Sequence, residues 1–162
     1  MPKLNKNEDG TISVLYQTRL KQHRLEEHID AESFTLENNF HGDLNELVPR
    51  CFSSHYGIEV VLFQPTGRTS NLRLYSKYKE FGLIPDPIAQ IRLNGDFPEI
   101  PRDYPNVSQW TYRTDRDYCS PFLHINTVEG QVIVKSDHAE RSSLWAPGTW
   151  FCGTRPIPDR MG

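Results

Sequence analysis

Hydrophobic and polar positions alternate clearly near the start of the chain. Ile12, Val14 and Tyr16 take every second place between polar residues, the spacing of a strand with one buried face. The residues before them, Met1 to Gly10, are charged, contain a proline and close on a glycine turn signal, which predicts a flexible terminus. From Thr18 the period lengthens. Leu25 and Ile29 fall one helical turn apart in a run of good helix formers, so a short helix follows, with His23 and His28 on solvated faces. Leu44, Leu47, Val48, Cys51, Phe52 and His55 then share one face of a second helix, with Asp43 as N-cap, Glu46 completing a capping-box-like pair and Gly57 as its stop. Pro49 lies inside that helix and removes a backbone hydrogen bond, at ~3 kcal/mol if unrelieved, so a kink or a split is expected there.

Ile58 to Phe63 is an apolar, β-branched run and reads as a central strand. The turn Gln64-Pro65-Thr66-Gly67 follows, and then a second strand at Asn71 to Tyr75, where Leu72 and Leu74 alternate with Arg73 and Tyr75. Five prolines between Phe81 and Asn106 break up any long element. One hairpin is expected among them: Ile88 to Leu93, an Asn94-Gly95 turn, then Asp96 to Ile100, with Pro98 confining the second arm to a sheet edge. A long tethered loop runs on to Trp110, and Trp110 to Tyr118 alternates as a further strand.

The stretch from Phe122 to Gly153 organises the rest. It reads as an alternating run, a tight turn at Glu129-Gly130, an apolar run, a polar loop, and a short aromatic strand after Ala146-Pro147-Gly148. The expected fold is α+β: a mainly antiparallel sheet from the C-terminal two thirds, with one or two short helices from the N-terminal third packed on it. A single domain over residues 11–153 would lie between a flexible N-terminus at 1–10 and an extended tail at 154–162.

Composition and charge change this picture in four ways. Apolar residues make up only 36 % of the 162, yet eight Phe, seven Tyr and three Trp supply bulky core side chains, which favours a folded domain over disorder. The net charge of −3, spread along the chain, provides no global field for nucleic acid. No run approaches the ~18 apolar residues of a membrane helix, and the polar N-terminus lacks a signal-peptide core, so no membrane association is expected. Three cysteines without a CxxC pair point to free thiols in a cytoplasmic, reducing setting, where each reads most simply as a small buried hydrophobe.

Candidate chemistry gathers in the last third. Cys119 could act as a thiolate with His124 as its base, oriented by Asp115 or Asp117, and Cys152 is an equal candidate beside His124 or His138. The run His124-Ile-Asn126-Thr-Val-Glu129-Gly130, followed by an apolar strand and Ala146-Pro147-Gly148, resembles the first motif of cupin barrels. In that family two histidines spaced H-x-H and a following glutamate bind a metal; here Asn126 holds the second histidine's place. The resemblance implies a small barrel with His124 and Glu129 as the remaining ligands. Apart from it no metal is expected, because the cysteines and histidines lack the paired spacing of zinc sites.

Two groups could form a binding surface. Trp110, Trp145, Trp150 and Phe151 are one, as core or as partner anchors. Arg68, Arg73, Lys77 and Lys79, interleaved with Tyr75 and Tyr78, are the other; the pattern suits a solvated face more than a base-stacking one. No nucleophile elbow, P-loop or dinucleotide fingerprint occurs, so no cofactor is expected. The leading reading is therefore a small soluble cytosolic binding or accessory protein acting through protein–protein contacts, with nucleic acid not expected as a partner. The alternative is a small hydrolase or transferase using a Cys–His pair in the C-terminal β region, and a third is a cupin-like metal-binding barrel.

Overall fold

A computed structural model of the chain describes residues 2–17, 34–38, 57–109, 120–139 and 144–157. Its strands are β1 (Leu4–Lys6), β2 (Ile12–Tyr16), β3 (Phe34–Asn38), β4 (Ile58–Phe63), β5 (Thr69–Ser70), β6 (Ile84–Pro85), β7 (Asn106–Gln109), β8 (Ser120–Val128), β9 (Gln131–Ala139), β10 (Leu144–Trp145) and β11 (Trp150–Pro156). Three helices occur among the described residues: α1 (Asn71–Glu80), α2 (Pro87–Asp96) and α3 (Glu99–Asp103). The main sheet runs in the order β1-β2-β4-β11-β7-β8-β9-β3, with β6 alongside β11, and β5 and β10 make a separate two-stranded sheet.

The sheet is mixed. Most neighbours are antiparallel, but β7 with β11 and β3 with β9 are parallel, so the expectation of a mainly antiparallel sheet holds only in part. A parallel pair needs a crossover between its strands, and periodicity within each strand carries no information about which strand will become its neighbour. β1 pairs with β2 inside the segment expected to be flexible, and β11 continues through Pro156, past the point where the tail was expected to begin. The two helices expected near the N-terminus and the strand at Trp110–Tyr118 lie outside the described residues.

Period-2 alternation gives the sheet two buried faces. Along β4, Ile58, Val60 and Leu62 join Ile12, Val14 and Tyr16 of β2, Cys152 of β11, and Ala89, Leu93 and Ile100 of α2 and α3. Val61 and Phe63 point the other way and meet Phe151, Val107, Leu83, and Leu74 and Tyr78 of α1. β4 is therefore buried on both sides, which is why it reads as a continuous apolar run. Each fully buried Leu, Ile or Phe in these layers contributes roughly 1.5–3 kcal/mol.

The chain passes from one face to the other beside β11. α1 ends in a Schellman motif: Gly82 adopts φ 68° and the Leu83 amide donates to the Tyr78 carbonyl at 2.9 Å. β6 then pairs with Gly153 and Thr154 of β11, and Asp86 caps α2 by accepting from the Ala89 amide at 3.0 Å, with Pro87 at the first helical position.

Two elements differ in type from the sequence expectation. Asn71–Tyr75, expected as a strand, opens α1, because Ser70 caps the Arg73 amide at 3.2 Å and Leu74 and Tyr78 lie one turn apart on the buried side. Ile88–Ile100, expected as a hairpin, is α2 and α3. Asn94-Gly95 makes no turn there. The Asn94 amide donates to the Gln90 carbonyl one turn back at 2.7 Å and to Asn106 Oδ1 on β7 at 3.0 Å, and Gly95 is not among the glycines of positive φ.

Candidate functional site

Helix α1 has an inside and an outside of different chemistry. Leu74 and Tyr78 face the sheet, and Tyr78, 2 % exposed, donates its hydroxyl to the Cys152 carbonyl at 2.8 Å. Burial pushes its phenol pKa well above the usual value. Tyr78 thus leaves the basic–aromatic patch expected from sequence and belongs to the core. Arg73, Tyr75, Ser76, Lys79 and Glu80 are exposed and Lys77 is half-buried. Helical spacing puts Tyr75 and Lys79 one turn apart on one flank, Arg73 and Lys77 on the other, and Ser76 and Glu80 between them. Tyr75 is 52 % exposed, and the Lys79 ammonium lies 4.7 Å from its ring centroid. Lys77 reaches Glu80 at 3.3 Å.

The small β5–β10 sheet adjoins the start of this helix. Leu144 pairs with Ser70, the N-cap of α1, and is 60 % exposed. Trp145 turns inward instead. Its indole nitrogen donates to Asn71 Oδ1 and to Gln109 Oε1, both at 2.7 Å, while its ring stands edge-on to Phe122 and Phe151. Trp150 packs on the opposite face, edge-on to Tyr104 at 5.3 Å. Trp145, from the small β5–β10 sheet, and Trp150, at the start of β11, thus pack on different sides of the main sheet, each half-buried.

The same alternation separates the candidate nucleophile from the candidate base. Phe151 pairs with Val107, Val107 with His124, and His124 with Lys135, so these four share one face. Cys152, next along β11, lies on the other face with Ile12, Val60 and Leu62. Its free thiol is fully buried, and burial, with the Asp86 carboxylate second, pushes its pKa well above the ordinary thiol value. A thiol in that state packs as a small hydrophobe, and burial favours its protonated form over the thiolate. His124 is half-buried, and burial, then the neighbouring Lys135 ammonium, holds its pKa below the ordinary imidazole value. Cys119, Asp117, Asp115 and Trp110 lie outside the described residues. His138 occupies the register position opposite Pro121 in β9, but its side chain is not among those described.

No group of three or more metal-ligating side chains occurs among the described residues. Glu129 sits at the hairpin tip, exposed, at φ 51°. Among the described strands the sheet is open, ending at β1 and β3, and does not close as the cupin resemblance implies. No helix among the described residues is long and apolar enough to cross a membrane.

Fold and surface define an α+β protein with a mixed open sheet, helices on both faces and an aromatic–cationic outer helix. Comparison with protein families, with characterised proteins and with solved structures finds no match.

The sequence signals for α1 were present: a serine cap, an i, i+4 apolar pair and a glycine after the last turn. The exposure of Leu144 had no such signal, because it follows from the inward turn of its strand neighbour Trp145 toward Asn71 and Gln109.

Proposed function

We propose that the protein is a non-enzymatic, cytosolic binding or accessory protein acting through protein–protein contacts, and that the outer side of α1 with Leu144 is its contact surface. The observation that carries this reading is Tyr75. The residue is half in solvent, yet it is held by Lys79 on a helix anchored to the core through Leu74 and Tyr78. An aromatic fixed before binding loses little side-chain freedom on contact, and tyrosine is among the residues that dominate interface energetics. The hydrolase or transferase alternative loses Cys152, which is buried with a raised pKa on the face away from His124.

Site-specific photo-cross-linking tests the proposal. A benzophenone amino acid replaces Tyr75 in one sample and exposed Gln131, at the start of β9, in another. The expected result is a partner captured only from position 75. That partner, once purified, should bind the wild-type chain and bind Tyr75→Ala about tenfold or more weakly, the loss typical of an interface anchor. Identical captures from both positions, or undiminished binding by Tyr75→Ala, overturn it.

A further inference from the structure

The charges around Tyr75 name the kind of partner. Between Arg68 and Glu80 the chain carries four cations and one anion, although the whole chain has a net charge of −3. Arg68, Arg73 and Lys79 are exposed, and among the described residues none of them makes an ion pair. Among the described residues Lys77 is matched only by Glu80, whose side chain is 65 % exposed, so that pairing is weak and exchangeable. Arg155, by contrast, is engaged by Glu59 and the Phe81 carbonyl and adds nothing free to the patch. The cations border the helix on both flanks, Arg73 with Lys77 and Tyr75 with Lys79, and the narrow ridge between them carries Ser76 and Glu80.

Resting on the reading of α1 as the contact surface, we infer that its occupant is an acidic segment of a partner protein, lying along the helix with carboxylates toward both cation rows and an apolar side chain toward Tyr75 or Leu144. Charge complementarity favours this occupant over nucleic acid. A nucleic-acid strand needs a longer basic track and successive stacking rings, whereas this helix presents one exposed ring against an acidic background. The cations set orientation and encounter rate, and Tyr75 and Leu144 supply desolvated contact.

The experiment titrates the full chain at low salt with a fluorescent glutamate-rich peptide carrying one central leucine, with single-stranded DNA and phosphatidylserine vesicles as parallel probes. The acidic peptide is expected to bind, to weaken with added salt, and to lose about tenfold or more in affinity with the charge-reversed variant R73E/K79E. Circular dichroism verifies that the variant is folded; the single variants Arg73→Ala and Lys79→Ala, expected to lose a few-fold each, serve if it is not. No binding, binding indifferent to these substitutions, or equal or tighter binding of the DNA or the vesicles through the same residues overturns the inference. A position-75 cross-link to a partner without an acidic segment also overturns it, yet leaves the protein-contact reading standing.

Discussion

Gly153 tests the packing of α1 on the sheet. It sits in β11 with no positive φ, so its role is steric and not conformational. A Cβ placed there would stand 2.9 Å from Tyr78 Cε1, 3.1 Å from Tyr78 Cδ1 and 3.0 Å from Leu83 Cβ. The Leu83 Cβ is fixed to the backbone, and the Tyr78 ring is tethered through its hydroxyl to the Cys152 carbonyl, so neither neighbour yields freely. Overpacking of this kind costs about 1–3 kcal/mol, and straining the tyrosine hydrogen bond adds about 1 kcal/mol. Reduced freedom of the unfolded chain returns roughly 0.5 kcal/mol. Gly153→Ala should therefore destabilise by about 1.5–3.5 kcal/mol, read as a lower urea midpoint at unchanged slope and a Tm lower by roughly 3–14 °C. In a Tyr78→Ala background the two ring contacts and the hydroxyl bond are removed, and the same substitution should cost less than about 1 kcal/mol, a coupling that a double-mutant cycle resolves. A Gly153→Ala protein within about 0.5 kcal/mol of wild type would refute the steric argument.

Three further outcomes follow from the same geometry. With Cys51 and Cys119 replaced by alanine, Cys152 should resist iodoacetamide at about pH 8 until the protein unfolds, because burial holds it protonated; prompt labelling of the folded protein contradicts its placement. His124 should titrate by NMR below the ordinary 6.5. Its folded pKa is depressed, so the unfolded chain takes up the proton first; the stability it lends is complete above 6.5 and is lost as pH falls through the lower folded value. His124→Gln should flatten stability against pH in that window, and a midpoint at or above 6.5 sinks the argument. Asn106→Leu should cost about 3 kcal/mol in urea unfolding, because Asn106 Oδ1 accepts from both Gln90 and Asn94 while its own amide serves Asn94 and the Tyr104 carbonyl; a neutral substitution would show that this network is dispensable.

Where an element's own residues carry its burial pattern, on one face or both, the order along the chain was enough. Ile12, Val14 and Tyr16 alternate and form β2, the β-branched run Ile58–Phe63 is a central strand, and Glu129-Gly130 joins β8 to β9. These signals are local, since the residues that specify each strand lie within it. α2 escaped because it is buried round most of its circumference, with Gln90 and Asn94 as well as Ile88, Ile91 and Leu93 inside, so it has no polar stripe to reveal a helical period. Its Asn-Gly pair carried a strong turn propensity that the bonds of Asn94 to Gln90 and Asn106 outweighed.

The candidate site divides along the same line. The residue types around α1, including Arg73, Tyr75, Lys77 and Lys79, were legible in order, but a strand would have put all four on one face. Only as a helix docked through Leu74 and Tyr78 do they become two cation-bearing flanks with Tyr75 outward and Tyr78 inward. Likewise the chain order placed Cys152, His124, Trp145 and Trp150 near one another in number. Strand register then sent Cys152 and Trp150 to one face and His124 to the other, because neighbouring positions on a strand point to opposite sides, while packing of β10 brought Trp145 against Phe122 and Phe151 on the His124 face. The amino-acid sequence by itself determined where most of the strands run and which of their positions are apolar. Strand pairing, and the helices packed on each face, decided which of those side chains meet, because such contacts join residues far apart in the chain.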